Sequence, residues 1–182
     1  MKSLLLALLL AISSQLASAH EMRPSIASLS VDSQGILTLD LVTNLEAWLA
    51  EVNPSLLDTN DSPNAEQYDR YRQLDPDALT ALADDAGGAL ADAIHIRSGQ
   101  ETVAMTLSGV EVLPVDDPEL PRDTKLQFVG GLPDGADHLV YRVDDRFPNT
   151  AVRLFLTKAD PRVQFVKTGA SSDPLSLGQR VE

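Results

Sequence analysis

Apolar and polar residues alternate along 24–32 and again along 35–43. Ile26, Leu29 and Val31 mark the first run, and Leu37, Leu39 and Leu41 stand opposite Thr38 and Asp40 in the second. A period of two lines one face of an extended strand, and Asp32-Ser33-Gln34-Gly35 supplies turn residues between the runs, so the pair predicts an antiparallel hairpin. The period then changes. Leu45, Trp48, Leu49 and Val52 fall at helical spacing and predict a short helix over 44–51. Prolines, asparagines and aspartates crowd 53–63, which reads as a loop. From Asn64 the spacing of Tyr68, Tyr71, Arg72 and Leu74 predicts a helix that stops at Asp75-Pro76. Asp75 can cap a second helix with Pro76 in its first turn. Its apolar stripe is Leu79, Leu82, Ala83, Ala86, Leu90 and Ala93, with Gly87-Gly88 expected to bend or end it early.

The rest of the chain returns to period two over 94–97, 102–112, 125–129, 139–143, 151–156 and 162–166, with turn-rich segments between. Short strands at this spacing predict a mostly β fold, an antiparallel, Ig-like β-sandwich of seven to nine strands. A helical insertion of two to three helices, around 45–93, follows its first hairpin. Residues 168–182 are rich in Ser, Gly and Asp without a core pattern, and read as a flexible tail after a single domain over 20–167.

The first nineteen residues follow a different logic. Lys2 precedes an apolar run over 4–12, then Ser13-Ser14-Gln15, then Ala17-Ser18-Ala19. This is the order of a secretory signal peptide, with cleavage expected between Ala19 and His20. The apolar run is well short of the roughly 20 residues that span a bilayer. The expected location is therefore periplasmic or secreted, as a soluble protein without a membrane span. The chain has no cysteine, so thiolate metal sites, disulfides, cysteine nucleophiles and an acylated-cysteine anchor are all excluded.

The formal charge is −13, and −14 once Lys2 is removed. Such a balance disfavours nucleic acid and anionic membranes as partners and favours cationic ligands. Cleavage before His20 would place a free α-amine and an imidazole on one residue. The amine nitrogen and Nδ1 can close a six-membered chelate ring on a divalent ion, favouring Cu(II) over Ni(II) and Zn(II). The amine must lose a proton first, so binding should weaken below neutral pH. Glu21 and the two other histidines, His95 and His138, are the candidate further ligands. Ile94 and Ile96 point one way, which turns His95 to the other face. Leu139, Tyr141 and Val143 form one face, which leaves His138 with Val140 and Arg142 on the opposite one.

The start His20-Glu21-Met22-Arg23-Pro24 resembles the extracytoplasmic amino-terminal region of the HupE/UreJ family, where His-Glu-x-Arg-Pro precedes an early β-strand. The resemblance implies a periplasmic accessory domain associated with transition-metal handling, at His20, Glu21 and Arg23. Full-length members continue into membrane helices linked to nickel or cobalt transport, whereas no apolar span follows Ser171-Ser172-Asp173-Pro174 here. An envelope or metal-transport protein is the expected partner. Copper-carrying β-sandwich proteins and lytic polysaccharide monooxygenases also begin with histidine. The latter need a second histidine and an axial aromatic near the copper and a flat carbohydrate-binding face, whereas aromatics are 4% of this chain, with Trp48 its one tryptophan.

Other chemistry is weakly signalled. Asp58, Asn60, Ser62 and Asn64 match alternate positions of a calcium loop, but Pro63 stands where glycine is needed and Asp69 where glutamate is needed. No G-x-S-x-G elbow, phosphate loop or singled-out carboxylate pair occurs, so an enzyme is not expected. Arg142, Arg146 and Arg153 could form a basic patch, or pair with Asp144 and Asp145. Two functions remain: metal binding or delivery through His20, and a non-enzymatic interaction module docking to an envelope partner without metal.

Overall fold

The computed structural model describes residues 22–115, 120–156 and 161–178. The expected hairpin is present as β1 (Ser25–Val31) and β2 (Ile36–Thr43), in register from Ile26 opposite Val42 to Val31 opposite Leu37. The Asp32 carboxylate closes its turn by accepting from the backbone N–H groups of Gln34 and Ile36, at 2.9 and 2.8 Å. Gly35 takes the left-handed conformation, at φ 78°, that this reversal requires.

Helix α1 (Leu45–Leu49) is capped by Asn44, whose side-chain oxygen accepts from the Ala47 N–H at 2.9 Å while its amide donates to the Tyr68 hydroxyl. Asp58 caps a 3₁₀ turn (Thr59–Asp61) by accepting from the Asn60 N–H, so this carboxylate of the candidate calcium loop is engaged in local structure. Helices α2 (Ala65–Arg72), α3 (Pro76–Asp85) and α4 (Gly87–Asp92) follow, with the break between the last two at Ala86, beside the glycine pair. Asp75 caps α3 as expected, accepting from the Ala78 N–H at 2.8 Å.

Strands β3 (Ile94–Ser98), β4 (Glu101–Val103), β5 (Thr106–Val112), β6 (Thr124–Gly131), β7 (His138–Val143), β8 (Thr150–Phe155), β9 (Arg162–Val166) and β10 (Leu175–Ser176) complete a sandwich. Its six-stranded sheet runs β5-β6-β2-β1-β8-β9 and its four-stranded sheet β10-β7-β3-β4. Every pairing is antiparallel except β1 with β8, which is parallel. Ala27, Leu29, Leu37, Leu39 and Leu41 from one sheet join Ile96, Leu139 and Tyr141 from the other in a single core cluster. Helices α3 and α4 pack on β5, with Leu79, Ala83 and Leu90 buried, and so extend the core along the edge of the wider sheet.

Two expectations are corrected. The run 102–112 is not one strand: β4 and β5 belong to different sheets, and Ala104-Met105 carries the chain between them. The crossing passes so close to β6 that a Cβ on Gly130 would stand 2.6 Å from the Ala104 carbonyl oxygen. Residues 168–178, expected as part of a tail, pack into the domain instead, while 179–182 lie outside the described residues. Leu175 and Leu177 are buried, and β10 pairs with β7, setting Leu175 opposite Leu139. The described residues accordingly hold ten strands.

Candidate functional site

The signal segment, His20 and Glu21 lie outside the described residues. The chain enters them at Met22, which packs against the small cluster of Ala47, Ala50, Val52 and Tyr68, and at Arg23, whose guanidinium is 4.0 Å from the Asp123 carboxylate.

His95 and His138 share the outer face of the four-stranded sheet, as their alternation implies, but the fold does not bring them together. His95 stands opposite Arg142, four residues along β7 from His138. At about 3.3 Å per residue this separates the two by about 13 Å along the strand. Among the described residues no group of three His, Asp or Glu side chains is arranged to hold a metal ion.

The two imidazoles have opposite surroundings. The His138 Nδ1 is 2.5 Å from the Asp137 carboxylate, and this hydrogen bond holds the Asp137 carboxyl below its ordinary value. His95 is instead flanked by Arg142 across the ladder and Arg97 two residues along its own face. A divalent cation at His95 would meet both guanidiniums, which makes this histidine a poor metal ligand.

The three arginines considered as one patch go to three places. Arg146 pairs with Asp144 at 2.8 Å and lies 4.3 Å over the Trp48 ring, which itself packs on Phe147. Arg142 donates from Nε to the Gly169 carbonyl on the small sheet. Arg153 lies on β8 of the large sheet, opposite Ser28 of β1 and Val163 of β9.

A buried ion pair was not signalled by spacing, because its partners are far apart in the chain. Glu46 of α1 has no exposed side-chain surface, and Arg122 donates from Nε to its Oε1 at 2.7 Å. The same guanidinium reaches the Leu74 carbonyl at 3.0 Å, tying α1, the turn between α2 and α3, and the entry to β6. Glu46 Oε2 has no partner. Burial raises the Glu46 carboxyl above its ordinary value, and backbone and Arg122 hydrogen bonds offset only part of that. Arg122 is committed to this clasp, which reads as structural.

The most exposed apolar surface of the sheets lies on the edge strand β9. Val163 and Phe165 are 60% and 61% exposed, and Phe155 at the end of β8 is exposed beside them. Phe165 ends an apolar row across the outer face, Val42–Ile26–Ala151–Phe165, set by the strand registers. Arg153, Arg162 and Lys167 surround this edge, and none forms an ion pair with a described carboxylate. The sequence held the alternation of 162–166 but not which of its faces would be covered.

No family model matches the chain, and no curated protein matches it. The likeness of residues 20–24 to the HupE/UreJ region therefore rests on those residues alone.

Proposed function

We propose that this chain is an exported, non-catalytic interaction module that docks to an envelope partner through the β9 edge. The observation that carries the reading is the combination of exposed Val163 and Phe165 with an outer strand edge that no described strand pairs. Main-chain groups on such an edge can accept an added strand, while alternate side chains give specificity. Isolated surface apolar residues need no explanation, but here they continue the row from Val42 through Ile26 and Ala151. Arg153, Arg162 and Lys167 give this edge a local positive charge within a chain of net charge −13. The complementary partner is an extended segment that alternates aliphatic and acidic residues. A second copy of this chain would bring the same cations against each other.

The experiment is sizing of the native protein in its own envelope fraction. Phe165→Glu should collapse the larger species to the free protein, whereas Leu120→Glu, at an apolar position 45% exposed whose carbonyl accepts from Arg72 of α2, should leave it intact. Equal behaviour of the two variants would refute the docking edge.

Metal binding through the mature amino terminus is the second reading. The anchoring of Met22 on the Tyr68 cluster and of Arg23 near Asp123 favours it, since His20 and Glu21 would begin from a fixed point. The ligands would be the His20 amine and imidazole with the Glu21 carboxylate, leaving His95 and His138 aside. Protein beginning at His20 should bind Cu(II) more tightly than protein with one residue added before it. Equal calorimetric affinities would sink this reading.

A further inference from the structure

On the outer face of the four-stranded sheet, His95, Arg97, Thr102, Val140, Arg142 and Ser171 line a shallow concavity of about 250 Å³. We infer that this concavity is a binding site for a small oxyanion bearing more than one carboxylate or phosphate group. It shares neither residues nor sheet with the β9 edge, so the two readings stand or fall separately.

Register places the cations. Arg142 is directly opposite His95, and Arg97 is opposite Val140, so the three basic side chains occupy adjacent positions on one face of β3 and β7. The same alternation turns the apolar residues Ile94, Ile96, Tyr141 and Val143 inward and admits no acid at positions 95, 97, 140 or 142. In a chain with 27 acidic and 14 basic residues, adjacent arginines without acids are the exception to be explained. Neither Arg97 nor Arg142 forms an ion pair with a described carboxylate.

The two guanidiniums are held by neutral groups. Arg97 Nη2 donates to the Gly99 carbonyl at 3.2 Å and to Gln100 Oε1 at 3.5 Å, and Arg142 Nε donates to the Gly169 carbonyl at 3.1 Å. Carbonyl partners orient an arginine without neutralising it, and each guanidinium keeps further N–H groups for a forked contact with an anion. Arg97 reaches toward the turn after β3 and Arg142 toward the loop at Gly169, so they flank the concavity from opposite sides. A ligand with two separated anionic groups meets both, while a single-charge ion meets one. The hydroxyls of Thr102 and Ser171 stand at the same lining and can donate to the oxygens between. The net negative charge opposes anion entry, but screening within about 8–10 Å at ordinary salt confines that opposition to nearby acids.

The test is titration of the purified protein with citrate and, separately, with inorganic phosphate, following backbone amide signals at an ionic strength held at about 0.1 M. Saturable shifts concentrated on β3 and β7 around His95 and Arg142 are expected, with citrate the tighter ligand because it can span both arginines. R97Q and R142Q should each weaken citrate about tenfold or more, the loss of one charge-assisted contact. R142K, which keeps the charge but not the fork, should fall between R142Q and the parent. R70Q, on α2 and paired with Glu66, should bind as the parent does. Shifts that fail to saturate, or equal citrate affinities in R97Q, R142Q and the parent, would overturn the assignment.

Discussion

Glu46 places a carboxyl where no water reaches it, with one oxygen on Arg122 and the other on nothing. Because its folded value lies above the ordinary 4.5, folding favours the protonated form. The stability this contributes is full below about pH 4.5 and is lost as pH rises through the raised folded value. Glu46→Gln keeps a neutral hydrogen-bonding group at every pH and should lack that loss. In urea unfolding, the stability of Glu46→Gln relative to the parent should therefore rise with pH; a difference that falls with pH would contradict the argument. Arg122→Ala leaves the buried carboxyl without its cation and should cost about 3–5 kcal/mol in the same measurement. Gly130 makes a steric case of the same kind. A methyl there meets the Ala104 carbonyl oxygen at 2.6 Å and the Met105 sulfur at 2.8 Å. Gly130→Ala should lower stability by about 1–3 kcal/mol, read from the shift in the denaturant midpoint. None of these three residues stood out in the sequence, because each depends on a neighbour distant along the chain.

The elements were more legible than their partners. The hairpin of β1 and β2, the capped start of α3 at Asp75 and the break near Gly87 all follow from periodicity and turn chemistry, which act over a few residues. The alternation that turns His95 and His138 outward was legible for the same reason. What escaped was any feature requiring a second segment. The run 102–112 alternates well enough for one strand, and only the close passage against Gly130 shows where it changes sheets. Likewise Leu175-Ser176-Leu177 is too short a pattern to mark a strand until β7 supplies its ladder. Two side chains carry most of that closing segment's burial, so Leu175→Ala should cost about 2–5 kcal/mol in thermal or urea unfolding. A loss below about 0.5 kcal/mol would show that β10 adds little to the domain.

Across the whole molecule the two sheets present different outer faces. The six-stranded sheet carries an apolar row that ends on the exposed edge at Phe165, and the four-stranded sheet carries the cations around His95. Composition gave a net charge of −13 and pointed to cationic ligands, but charge summed over a chain does not tell where its few arginines collect. The candidate metal site was legible only as a consequence of cleavage before His20, because the chelate belongs to a terminus and not to a fold. The histidines that might have completed it stand apart, one beside a carboxylate and one beside two arginines. The proposed function therefore rests on the β9 edge. Its most direct test is a photocrosslinking side chain placed in turn at positions 165 and 120 in the living cell. Docking through β9 predicts a discrete adduct at 165, absent at 120 and removed when Val163→Lys accompanies the probe. No adduct at 165, or the same adducts at both positions, would contradict it.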